Sequence, residues 1–180
     1  MIIASKLRKE NIAEYLLYMW HIENLIRANN LNLDKIKANV ISKFDLDEHG
    51  QSEMEQWYES MIDMMRREEV VDNGHLQINK NVLSSLADLH NRLLKDARFD
   101  SYAKMFYEVL PFIVELRAKS GDSPKGEIET CLNALYMLAM MRTQASEATL
   151  SAAKRIAAFI AQLASYHKKD EQDNLFKDGE

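Results

Sequence analysis

Apolar side chains recur along this chain at intervals of three and four residues, and no segment shows a sustained alternation of period two. That spacing gathers the apolar positions of each segment on one side of an α-helix and predicts an all-α chain. The segments fall at residues 8–29, 33–45, 51–71, 77–96, 99–119, 125–143 and 146–168. Around residues 96–101 the sequence DARFDS holds no glycine, so the fourth and fifth segments also read as one long bent helix. Six to seven helices are expected.

Two segments are apolar on most sides rather than along one stripe. In the first, NIAEYLLYMWHIENLIRAN from Asn11 to Asn29, the residues Ile12, Tyr15, Leu16, Met19, Ile22 and Ile26 share one face at about 100° per residue. Leu17, Tyr18 and Leu25 spread over the rest. The sixth segment, IETCLNALYMLAMMR, has the same character. A helix apolar all round belongs inside a bundle, so helices one and six are predicted to be the central pair. The expected architecture is a single-domain bundle over residues 1–168, followed by a charged, disordered tail at 169–180. Along the last helix, Ala153, Ala157, Ala161 and Ala164 form an edge that lets another backbone, from this chain or a second subunit, come close.

Punctuation agrees with these divisions. Gly50, Gly74, Gly121, Gly126 and Gly179 lie in polar stretches between the periodic segments. Helix starts are signalled at Asp34, at Ser52-Glu53, at Ser123-Pro124 and at Ser146-Glu147. Pro111 interrupts the fifth segment on the face opposite Phe106, Val109, Leu110 and Ile113, where loss of a backbone donor predicts a kink.

Composition narrows the function classes. A chain of 180 residues can bury a core without disulfides or a structural metal. Its net charge of -5 argues against a dedicated nucleic-acid binder, which needs a basic face to neutralise phosphates. The single cysteine, Cys131, excludes an intramolecular disulfide and a thiolate metal cluster, and suits a reducing cytoplasm. The opening MIIASKLRK is too short and polar for a secretory apolar region, and no run of eighteen apolar residues occurs, so no membrane association is expected.

Chemistry-bearing residues are few. Glu23 falls on the core face of the first helix, with Trp20 before it and Arg27 one turn after. The i,i+4 order predicts an internal ion pair, and the same residues could line a pocket for a polar or charged ligand, with His90 added from the stripe Val82, Leu86, Leu89 and Leu93. On that reading Glu23→Ala destabilises more than Arg8→Ala, because only the former strands a buried partner. His90 on an apolar face is expected to be a hydrogen-bonded core residue, and His21 a surface or subunit-contact one. No glutamate has a histidine three residues later, and Asp72 and His75 share that spacing only in the loop DNGH, so a helical di-metal site is not expected. Cys131 reads as an inert buried thiol. Serine nucleophile elbows, phosphate loops and dinucleotide fingerprints are absent. No cofactor and no metal are expected, and the balance leans away from an enzyme.

Of ten methionines, Met61, Met64, Met65, Met137, Met140 and Met141 concentrate on two helices. Filling of an irregular core is the expected role; exposed as a groove, they would take an amphipathic helix or an apolar small molecule. The segments MIIASKLRKENIAEYLLYMWHIENLIRAN and LNALYMLAMMR resemble an uncharacterised all-helical family of Bacteroides-type bacteria known as a domain of unknown function. The resemblance spans nearly the whole chain and implies a compact bacterial protein without bringing an activity, ligand or catalytic residue. The expected role is that of a non-enzymatic protein acting through protein contacts, as a homo-oligomer. The alternative is a small-molecule binder or enzyme built around Trp20, Glu23 and Arg27.

Overall fold

The computed structural model describes residues 2–120, 125–141, 145–172 and 175–176. Among these it is all helical, with eight α-helices rather than six or seven. They are α1 (Ile2–Glu10), α2 (Ile12–Ala28), α3 (Leu33–Asn39), α4 (Glu48–Arg67), α5 (Gln77–Lys95), α6 (Asp100–Ser120), α7 (Glu127–Met140) and α8 (Glu147–Glu171). Short 3-10 turns lie at Ile41–Lys43 and Ala97–Phe99.

The extra helix arises at Asn11, whose side-chain oxygen accepts a hydrogen bond from the Ala13 backbone N–H at 3.2 Å. That contact starts a new helix and leaves residues 2–10 as a helix of their own. A similar device settles the DARFDS stretch, because Asp96 accepts from the Arg98 N–H at 3.0 Å and closes the chain into a 3-10 turn between α5 and α6. The start of α3 is capped by Asn32, two residues before the expected Asp34. For α4 the cap is Asp47, which accepts from the Gly50 N–H at 2.8 Å. Gly50 therefore sits in the first turn of that helix, and Ser52 is already helical. Ser146 caps α8 as predicted, accepting from the Thr149 N–H. The Ser123-Pro124 signal lies outside the described residues, as do Gly121, Gly179 and the last four tail positions. Helix α6 runs on through Pro111, which is exposed while Phe106, Val109 and Ile113 are buried.

Backbone packing divides the chain into two compact units, residues 1–8 with 14–81 and residues 9–13 with 82–180. In the first, α3 packs on α4, and Trp20, Ile26, Ile36, Tyr58, Met65 and Leu76 are fully buried. In the second, α6, α7 and α8 pack pairwise on one another around Tyr102, Ile113, Cys131, Leu132, Phe159 and Leu163. Among the described residues no helix is long and apolar enough to cross a membrane.

Candidate functional site

Glu23 is completely buried, as its place on the α2 core face predicted. A buried carboxylate is tolerated only when its lone pairs are used. Here Oε1 accepts from the Leu76 backbone N–H at 2.9 Å and from the Asn79 amide Nδ2 at 2.7 Å. Oε2 lies 2.6 Å from His75 Nδ1. A carboxylate only accepts, so that nitrogen carries the proton and Nε2 is left as the second ring nitrogen. The imidazole stacks on the Trp20 indole, ring centres 4.5 Å apart and planes 20° from parallel. Leu76 immediately precedes α5 and Asn79 lies in its first turn, so the carboxylate also sits at the positive end of that helix.

Arg27 does not pair with Glu23. Its guanidinium donates to the Asn24 side chain at 2.8 Å, to the Val70 carbonyl at 2.9 Å and to the Gly74 carbonyl. The expected i,i+4 ion pair is replaced because each partner reaches a different part of the segment between α4 and α5. Gly74 has φ +81°, a left-handed conformation that a side chain would strain, and this turn presents its carbonyl to Arg27. Together Glu23 and Arg27 fasten that segment to α2.

Trp20, Glu23 and Arg27 are thus brought together in the first unit, but they close on protein groups. His90 belongs to the second unit and has its own surroundings. It is buried, with Nδ1 2.7 Å from the Tyr102 hydroxyl and the edges of Phe106 and Phe159 around it. Burial holds its pKa below the ordinary 6.5. Neutral in the fold and protonated sooner when unfolded, His90 leaves stability whole above pH 6.5 and erodes it as pH falls toward the lowered value. Chemical denaturation of the wild type and His90→Gln should differ in slope below that pH by up to about 1.4 kcal/mol per pH unit. Parallel curves would show that His90 is not the linked group. Cys131, also buried, has its thiol pushed up to about 12 and stays protonated. His21 is exposed.

A different feature offers space. Between α6, α7 and the start of α8 lies a cleft of about 550 Å³, within the range of small-molecule and peptide sites. Phe112, Leu116, Met137, Leu138, Met141 and Ile156 supply its apolar wall. Thr130 and Asn133 add polar atoms, and Arg117, Lys119 and Lys125 stand among its lining. Met61 and Met65 on α4 fill the core as expected, but Met137, Met140 and Met141 do not: they are 63%, 47% and 48% exposed. The second half of α7 is therefore not interior. Ile128, Cys131 and Leu132 turn inward, and the methionine stripe one to two turns later is left facing water.

What the sequence did not reveal is that His75 and Asn79 are the partners of Glu23, since they lie 52 and 56 positions from it and show no local sign of the contact. For the cleft, the all-round apolarity of LNALYMLAMM was a signal that fits an interior helix and an unpartnered one equally well.

Residues 1–174 match the family described as a domain of unknown function, DUF4924. The chain belongs to this family. No curated protein and no solved structure matches it. Membership in an uncharacterised family assigns no role to any residue, so the two sites stand on their geometry.

Proposed function

We propose that this protein is a non-enzymatic binding protein of the bacterial cytoplasm, acting through protein contacts made at the α6–α7–α8 cleft, a second copy of itself being the first such partner. The observation that carries this reading is the exposure of Met137 and Met141 in the wall of an apolar cleft, with Met140 exposed next to them. Unbranched thioethers adapt to a partner surface, and a contiguous apolar patch left in water marks a contact site. The Glu23 cluster supports the same reading from the other side. Both oxygens of its carboxylate are taken up by donors of the protein, as a structural fastener requires.

A second reading, an apolar small molecule held in the cleft, is favoured by the concave shape and volume. Both readings require an apolar site. Fluorescence titration with 1-anilinonaphthalene-8-sulfonate is expected to show binding that Met137→Glu weakens at least about tenfold, the loss of one buried apolar side chain. Identical titrations of both proteins would remove the cleft as the site. Native mass spectrometry of the purified chain separates the readings, since a retained small molecule adds a small discrete mass to the chain whereas a second copy doubles its 20.9 kDa.

A further inference from the structure

We infer that Asn73 is a site of spontaneous modification: its side-chain amide is lost to water without an enzyme, and the acidic product loosens the turn that carries His75 onto Glu23. The cleft plays no part in this, and the chemistry lies wholly in the segment between α4 and α5.

Of the asparagines in the chain, Asn73 alone precedes a glycine. The reaction open to such a pair is internal. The Gly74 backbone nitrogen, having given its proton to solvent, attacks the Asn73 side-chain carbonyl carbon. A C–N bond forms, the bond to the side-chain nitrogen breaks, and that nitrogen takes a proton from solvent and departs as ammonia. Water then opens the cyclic imide at either carbonyl and leaves aspartate or isoaspartate. A side chain on the attacking residue would crowd the approach, and glycine has none.

The fold leaves this path open. Asn73 and Gly74 are both exposed, in a bend outside any helix. Among the described residues no hydrogen bond engages the Asn73 side chain or the Gly74 N–H, so nucleophile and electrophile are both unspent. Arg27 holds the Gly74 carbonyl and leaves its nitrogen to solvent. By contrast Asn24, Asn81 and Asn91 lie within helices, where the next N–H is bound to a carbonyl four residues back.

The consequence follows from what is tied down on either side. The Val70 and Gly74 carbonyls are held by Arg27, His75 Nδ1 lies 2.6 Å from the Glu23 carboxylate, and the Leu76 N–H donates to it at 2.9 Å. Isoaspartate routes the main chain through its own side-chain carbons and so inserts a methylene between residues 73 and 74. Points tied before and after the insertion cannot all keep their partners. Either product also adds a negative charge where Glu68, Glu69 and Asp72 are already exposed, and like charges repel. A loosened turn withdraws donors from Glu23, which as a buried carboxylate depends on them.

Ageing the full chain at mildly alkaline pH in water enriched in oxygen-18 tests the reaction. Peptide mapping is expected to find Asn73 converted to acid that carries the heavy oxygen, as separable aspartyl and isoaspartyl peptides, with Asn24 and Asn91 intact. The folded chain should react within about tenfold of its rate in urea, because an open turn needs no unfolding event. Asn73→Gln, which must close a larger ring, should stay unconverted at that position. Protection of Asn73 by more than about a hundredfold in the folded chain overturns the proposal, since reaction would then wait on rare opening. Hydrogen exchange reads the loosening. In the separated isoaspartyl chain the Leu76 amide should exchange at least about tenfold faster than in the unmodified one, while the Val109 amide of the second unit is unchanged. Asn73→Asp, which adds the charge without the methylene, should show a smaller effect. Unchanged Leu76 exchange in the isoaspartyl chain, or an equal rise at Val109, overturns the local release.

Discussion

Replacing Glu23 by alanine is expected to lower stability by about 3–5 kcal/mol, the cost of removing one member of a buried charged network. The substitution strands the Leu76 N–H and the Asn79 amide, both buried, and leaves His75 without the acceptor of its Nδ1 proton. Unfolding of a chain this long loses roughly 2–4 °C per kcal/mol, so the melting temperature should fall by about 10 °C. Arg8→Ala is the matched control in the same unit. Arg8 is exposed and its guanidinium lies 5.8 Å from the Tyr15 ring centre, a contact whose loss should cost under about 0.5 kcal/mol. Glu23→Gln should fall between them, because its carbonyl oxygen still accepts from Leu76 and Asn79. Urea denaturation of the three variants checks the order, and equal midpoints for Glu23→Ala and Arg8→Ala would show that the fastener bears no load.

The Glu23 network shows how far local sequence reaches. Periodicity placed Glu23 on the buried face of α2 together with Ile22 and Ile26, because a side chain's angular position on a helix follows from spacing alone. Its partner did not follow, since His75 arrives through a turn 52 positions later whose direction depends on the left-handed φ of Gly74 and on Arg27 holding that turn's carbonyls. The i,i+4 rule describes neighbours on an exposed helix surface; a buried carboxylate instead takes whichever donors tertiary packing delivers. Helix starts show the same boundary. Ser146 was legible because nothing competes with it, whereas Asp47 took the cap of α4 five residues before Ser52. At Asn11 one short amide split a run that reads as continuous by hydrophobicity.

The cleft marks the other limit. All-round apolarity on α7 predicted an interior helix, but an apolar surface in a single chain can be covered by that chain or by another. Val82, Leu86 and Leu89 on α5 were assigned to the core correctly because their stripe is one-sided. No single-sided stripe on α7 separates Leu132, which is buried, from Met137, which is exposed.

In the second unit the largest expected loss belongs to Phe159. It is fully buried, its ring 5.3 Å from that of Tyr102 and 5.8 Å from those of Phe106 and His90. Phe159→Ala should cost about 3–5 kcal/mol, combining lost apolar burial with the cavity left behind. Aromatic pairing contributes about 0.5–1.5 kcal/mol per ring contact beyond area, so Phe159→Leu should recover only part of the difference. Phe176→Ala is the comparison, as that ring is half-buried and rests on the Arg92 guanidinium at 3.9 Å and the edge of Phe99. Its loss should cost no more than about 1–2 kcal/mol. A second consequence separates packing from a general loss of stability. The pKa of His90 is held down by burial, and a cavity beside it admits water, so in Phe159→Ala it should rise toward 6.5. The folded and unfolded values then converge, and the loss of stability below pH 6.5 becomes shallower than in the wild type. An NMR titration of the His90 ring reads the shift directly, and an unchanged midpoint in Phe159→Ala would mean that Phe159 is not what keeps water from the imidazole.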